Sequence, residues 1–169
     1  MTNNIKNNPM WAFLFGQVRS CHPGVPDALV KVPLFDHLSK RELRIVTGII
    51  HHRTYQEGEF VFQKGQPGAA MFIIDEGEIE IVDPDQDEKC NVIARLGENT
   101  FFGELALLDD SPRSATAVAV KLTRIYAFFR ADLDDLMNSN PHIGSHVYKS
   151  LAMIIGARLK ATNEQLFNK

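Results

Sequence analysis

Between residues 55 and 129 the chain is cut into short runs rich in β-branched and aromatic side chains, at 60–62, 71–74, 78–82, 91–96, 115–120 and 123–128. Each run has the length of a strand and is too short for a typical helix. Gly58, Gly65, Gly68, Gly77 and Gly97 separate them, at turns that favour positive φ. Ile79 and Ile81 alternate with Glu78 and Glu80, the period-two pattern of a strand with one buried and one wet face. The acidic stretch 83–88 then reads as a solvated hairpin loop. Many short strands at such spacing favour an antiparallel sandwich or barrel.

Helical patterns flank this region. Ser39 followed three residues later by Glu42 is a capping box, and Leu43, Val46 and Ile49 fall on one helical face. After the strands, residues 132–137 form a short helical segment. Asn140-Pro141 then sets a capping residue before a proline at the first helical position. A long helix is expected from about His142, where Val147, Leu151, Ile155, Leu159, Thr162 and Leu166 recur at spacings of three and four. That stripe suits packing on the barrel, on a second copy, or both. Residues 1–32 lack any such period. They hold an Asn-rich start, the aromatic cluster Trp11, Phe13 and Phe15, then Pro23, Gly24 and Pro26, and read as an irregular extension strapped over its own core, with docking of the cluster on a partner as the alternative. The predicted organisation is an extension over 1–32, a β-barrel with its leading helix over 33–139, and a C-terminal helix over 140–169.

Composition narrows the function classes. At 169 residues, 44% apolar and 23% charged, the chain can bury a core without disulfide or metal staples. Eighteen basic against 21 acidic residues leave a net charge of −3, which argues against a broad nucleic-acid-binding surface. Cys21 and Cys90 offer no metal-ligand spacing and fit a reducing compartment. The apolar run 10–16, preceded only by Lys6, suits neither a membrane span nor a signal peptide. A cytoplasmic protein with no nucleic-acid partner and no membrane span is expected.

One segment departs from strand-and-turn grammar: Phe102-Gly103-Glu104-Leu105-Ala106-Leu107-Leu108-Asp109-Asp110-Ser111-Pro112-Arg113-Ser114. It offers a glycine, one helical turn, a loop closed by proline, and an arginine opening the next strand. A single helical turn aims several unpaired N–H groups at one point. Gly103 allows close backbone approach, and Arg113 can clamp a phosphate with a permanent charge. Ionised Glu104 only accepts hydrogen bonds, which suits a ligand hydroxyl, and Ser114 can add a neutral bond beside the arginine. From spacing alone a second reading stays open, in which Gly103 is a plain turn and Glu104 with Arg113 forms an internal salt bridge.

This segment resembles the phosphate-binding cassette of cyclic nucleotide-binding domains at its glycine, glutamate, alanine and arginine, with no insertion. Val32-Pro33-Leu34-Phe35 with Leu38-Ser39 is similar to that family's leading helix, and Tyr55, Glu57-Gly58, Gly65 and Gly77 match its turn residues. The resemblance implies a mainly β fold with flanking helices, an antiparallel β-roll or jelly-roll barrel with a long C-terminal helix. It implies that Arg113 binds the cyclic phosphate with the Ala106 N–H and Ser114. Glu104 would hold the ribose 2′-hydroxyl, and Gly103 and Leu105 would shape the wall. Arg158-Leu159-Lys160-Ala161-Thr162-Asn163-Glu164 is similar to the helix of catabolite-activator-type regulators that meets adenine, so Thr162 and Asn163 would contact the base, one of them from a second subunit.

Those regulators continue into a helix-turn-helix domain, which is not expected here. The function expected is a stand-alone cyclic-nucleotide receptor, for cAMP in preference to cGMP, homodimeric, signalling to a separate protein partner through its C-terminal helix or its N-terminal extension. The alternative is an interaction module of the same fold that binds no ligand, or a different one such as a cyclic dinucleotide. A metal-dependent enzyme on a similar barrel needs clustered histidine and carboxylate ligands on strands. The histidines at 22, 37, 51, 52, 142 and 146 are expected in loops and helices. No nucleophile–base pair stands out, so no catalytic residues, metal ligands or cofactor are expected.

Overall fold

The computed structural model describes residues 24–84 and 90–167. The described strands are β1 (His51–Tyr55), β2 (Phe60–Phe62), β3 (Ala70–Glu76), β4 (Glu78–Pro84), β5 (Cys90–Gly97), β6 (Phe101–Phe102), β7 (Thr116–Ala119) and β8 (Thr123–Phe129). They form two four-stranded antiparallel sheets, in the orders β1-β8-β3-β6 and β2-β7-β4-β5. The described α-helices are α1 (Asp27–Lys31), α2 (Lys40–Thr47), α3 (Arg130–Ser139) and α4 (Pro141–Phe167). This is the expected mainly β architecture with flanking helices and a long C-terminal helix.

Two cores explain why β3 and β8 read as near-continuous apolar runs. Ala70, Phe72, Ile74, Ile125 and Ala127 pack with Ile79, Leu96, Phe102 and Ala117 between the sheets. The alternate residues Met71, Ile73, Tyr126 and Phe128 join a second core with Leu29, Phe35, Leu43, Leu133 and Val147 from the helical layer. Successive side chains of a strand point to opposite faces. With both faces covered, polar alternation disappears. Each buried Ile or Phe contributes on the order of 1.5–3 kcal/mol. Gly77, at φ +110°, carries the chain from β3 in one sheet to β4 in the other, and a Cβ there would collide with Thr123. The buried Thr123 hydroxyl secures this corner, accepting from the Glu78 N–H at 3.1 Å and donating to the Lys121 carbonyl at 2.8 Å.

The capping box forms at the start of α2. The Glu42 N–H donates to Ser39 Oγ at 3.4 Å, and the Ser39 N–H donates to Glu42 Oε2 at 2.7 Å. Pro141 opens α4, and the Asn140 carbonyl accepts from the Gly144 N–H at 3.1 Å.

Several expectations are corrected. Irregular structure through residue 32 gives way to α1, and Val25, Ala28, Leu29 and Val32 are buried in the helical core. The folded body therefore starts well before residue 33. Burial of Ala28 and Leu29, with Val25 and Val32 on either side, fixes this short helix, and five residues are too few for a visible period. The cluster Trp11, Phe13 and Phe15 lies outside the described residues. His51 and His52 are not in a loop or helix but begin β1, paired with Ala127 and Tyr126. Their strand was hidden because it is exposed along most of its length. Strand β4 continues through Asp83 and Pro84, opposite Asn91 and Cys90. The remainder of the acidic stretch, 85–88, lies outside the described residues. Along α4, Val147 and Leu151 are buried and Ile155 half-buried, whereas Leu159 and Leu166 are exposed. Among the described residues no helix is long and apolar enough to cross a membrane.

Candidate functional site

The segment between β6 and β7 carries the chain from one sheet to the other. Gly103, at φ +72° and ψ +21°, is left-handed and starts a single 3₁₀ turn, Glu104–Leu107. This conformation is strained for residues bearing a Cβ. Its surroundings are as restrictive, since a Cβ on residue 103 would lie 2.7 Å from Arg113 Nη1. The turn buries Ala106 and Leu107 and leaves Leu105 exposed.

Arg113 is fixed from its backbone outward. Its N–H donates to the Gln66 carbonyl and its carbonyl accepts from the Gly65 N–H, both at 2.8 Å. The glycine turn at 65 thus holds the end of the cassette loop. The Arg113 side chain is buried, and its Nη1 donates to the Gly103 carbonyl at 3.2 Å while Nη2 donates to the Ala70 carbonyl at 2.7 Å. Its Cζ stands 4.1 Å from the Phe62 ring centroid and 5.5 Å from that of Phe72. Nε is buried and has no hydrogen-bond partner among the described residues. Burial pulls the Arg113 pKa below its ordinary value and the Glu104 carboxylate partly restores it. Guanidinium nevertheless stays charged at neutral pH. A buried cation whose donors are not all matched favours an anion beside it.

Glu104 is only 6% exposed. Its Oε1 accepts from Nη1 of Arg158 on α4, and Arg158 Cζ lies 5.0 Å from the Phe101 ring centroid. The internal Glu104–Arg113 salt bridge left open by the spacing is absent from the ion pairs among the described residues, where Arg158 pairs with Glu104 instead. Between these groups lies a cavity of about 310 Å³, at the lower end of the roughly 300–1,000 Å³ range of small-molecule sites. Its lining joins polar Glu104, Arg113, Ser114 and Arg158 to apolar Ile81 and Ile93 from β4 and β5. Arg113 as a fixed cation, the Glu104 carboxylate beside its partner Arg158, and an apolar wall suit a small anionic ligand that carries both a hydroxyl donor and an apolar ring.

Gly103, Glu104, Leu105, Ala106, Arg113 and Ser114 all line this cavity. Thr162 and Asn163 do not. They are exposed on α4, where the Thr162 hydroxyl donates to the Arg158 carbonyl at 3.0 Å. The Ala106 N–H donates to the Gly103 carbonyl at 3.3 Å, within the 3₁₀ turn. Sequence reasoning did not assign Phe62 or Arg158 to the site. For Arg158 a signal existed, because it lies one helical turn before Thr162 and Asn163. Among the described residues no group of three or more His, Cys, Asp or Glu side chains could hold a metal ion.

The model of the cyclic nucleotide-binding domain family matches residues 52–140, more than half of the chain. The chain belongs to this family. It is 31% identical over 134 residues to a cyclic AMP receptor protein of Thermus thermophilus, covering 79% of this chain and 60% of that protein. It is 39% identical over 95 residues to a cAMP-dependent protein kinase regulatory subunit of Mycosarcoma maydis, covering 56% and 18% respectively. The chain thus spans less than two thirds of either relative. Among solved structures, the N-terminal domain of a transcriptional regulator from Streptomyces coelicolor superposes with a TM-score of 0.72 at 28% identity, covering 82% of this chain and 96% of that one.

Proposed function

We propose that this chain is a receptor for a cyclic nucleotide, cAMP in preference to cGMP, and that it relays binding to a separate protein partner in the cytoplasm without catalysis. The observation that carries this reading is the buried Arg113, whose Nε has no partner among the described residues and whose side chain lines a cavity shared with Glu104. On this reading Arg113 takes the cyclic phosphate as a charge-assisted pair with the Ser114 hydroxyl as a neighbouring donor, and the Ala106 N–H joins them by giving up or sharing its 3.3 Å bond to the Gly103 carbonyl. Glu104 accepts the ribose 2′-hydroxyl beside the Gly103 and Leu105 wall. Thr162 and Asn163 meet adenine, whose amino group can donate to Thr162 Oγ1 or the Asn163 carbonyl oxygen. The lining of this chain's cavity excludes both residues, so the reading brings at least one from the second subunit of a homodimer. The relation to a protein named as a cyclic AMP receptor supports the same ligand.

Calorimetric titration with cAMP is the test. A charge-assisted phosphate pair is worth about 1.5–3 kcal/mol, so Arg113→Leu is expected to weaken binding by roughly ten- to a hundredfold. Competition with cGMP is expected to need the higher concentration. Equal affinity of wild type and variant would remove Arg113 from the phosphate site.

A further inference from the structure

We propose that Phe62 is a positioning residue for Arg113, an aromatic platform that holds the guanidinium ready for an anion in the cavity. The proposal rests on the cyclic-nucleotide reading above and adds a residue from outside the cassette. The Arg113 side chain has only two hydrogen-bond partners among the described residues, the carbonyls of Gly103 and Ala70, one to each terminal nitrogen. Two carbonyls restrain the tips of the fork. They leave the face of the guanidinium to whatever packs on it, and Phe62 is closest, at 4.1 Å against 5.5 Å for Phe72. A cation over an aromatic face is attracted by the ring quadrupole, more strongly where water is excluded. The platform itself is braced, because the Phe62 ring lies 5.8 Å from Phe72 and 5.9 Å from Phe102, which stack on each other at 5.4 Å.

The backbone explains why this side chain reaches the site. Strand β2 slips in register against β7, with Phe60 opposite Val118 but Phe62 opposite Ala117. Two residues on β2 thus advance against one on β7, which is a bulge, and bulges re-aim side chains. Phe60 is 53% exposed, whereas Phe62 is half-buried and lines the cavity. Without the ring the guanidinium regains rotamer freedom that ligand binding must then remove, so anion affinity falls.

The test compares wild type, Phe62→Met, Phe62→Tyr, Arg113→Met and the double variant Phe62→Met/Arg113→Met by calorimetric titration with cAMP. Phe62→Met keeps an apolar side chain of similar reach without the ring, and is expected to bind roughly five- to twentyfold more weakly. Phe62→Tyr keeps the ring and is expected to stay within about twofold of wild type. In the Arg113→Met background, Phe62→Met is expected to change affinity by less than about twofold, since nothing remains to position. The same loss in both backgrounds would mean that Phe62 touches the ligand directly, and would overturn the proposal. Unchanged binding in Phe62→Met would overturn it as well. A ligand-free readout separates this from the ligand reading: the Arg113 Nε–H proton resonance is expected upfield in wild type, from the ring current, and back at the ordinary arginine position in Phe62→Met. Wild type that fails to bind cAMP overturns the ligand reading. The platform then stands or falls on that resonance.

Discussion

Gly103 shows how much of the site depends on a missing atom. Its left-handed φ of +72° disfavours any side chain, and a Cβ would press on Arg113 Nη1 at 2.7 Å. Gly103→Ala therefore meets a conformational cost of about 1–3 kcal/mol and displaces the guanidinium that the Gly103 carbonyl restrains. The expected outcome is a lower melting temperature together with weaker cAMP binding, whereas an ordinary surface Gly→Ala change would leave affinity alone. Differential scanning calorimetry and titration on the same preparation check both halves. Gly103, Glu104 and Arg113 were legible in the sequence because one turn and one loop bring them together within eleven residues. Phe62 and the Glu104–Arg158 pair were not. Phe62 reaches Arg113 across a bulge, and Arg158 reaches Glu104 from a helix 54 positions away. Period and propensity carry no information on such meetings.

At the scale of elements, legibility followed local chemistry. Helix α2 was visible through its capping box, a contact three residues apart, whereas α1 owes its existence to the core that covers it. The box also makes a pH prediction. The Ser39 hydroxyl first, then the Ser39 N–H and His142, hold the Glu42 carboxyl below its ordinary range. His142 Nδ1 lies 2.9 Å from Glu42 Oε1 and ties the start of α4 to α2. A folded-state pKa below the unfolded one contributes stability that is fully present above the unfolded value, about 4.3 for glutamate. That contribution fades as the pH falls through the folded value. Urea denaturation at about pH 6 is expected to find wild type more stable than Glu42→Gln, and at about pH 3 the gap should narrow. A gap that widened on acidification would contradict the capping assignment.

For the whole molecule, the cassette joins the two cores. Phe102 packs between the sheets, and Leu107, five residues on, packs with Leu133, Ile143 and Val147 in the helical core. Helix α4 leaves that core partway along its 27 residues. Its buried side ends near Ile154, and Met153, Leu159, Leu166 and Phe167 are exposed at 60% or more. A two-fold helix pair is the commonest closed way to cover such a surface, and it places α4 of one subunit beside α4 of the other. Arg158, which already engages Glu104, sits one position before Leu159, so one turn of α4 carries both the proposed dimer face and the contact to Glu104. A ligand that takes up Glu104 must then alter what holds α4, and this is the differential contact that coupling requires. Light scattering at tens of micromolar is expected to find wild type dimeric and Leu159→Glu monomeric, because a charge at an apolar helix seam is left without water or partner. Hydrogen exchange should slow across the second half of α4 when cAMP is added to wild type. The same slowing is expected to shrink in Leu159→Glu, where the helix has lost its mate. Monomeric wild type both with and without cAMP would end the dimer proposal, and slowing of equal size in the two proteins would show that the ligand acts on α4 within one subunit.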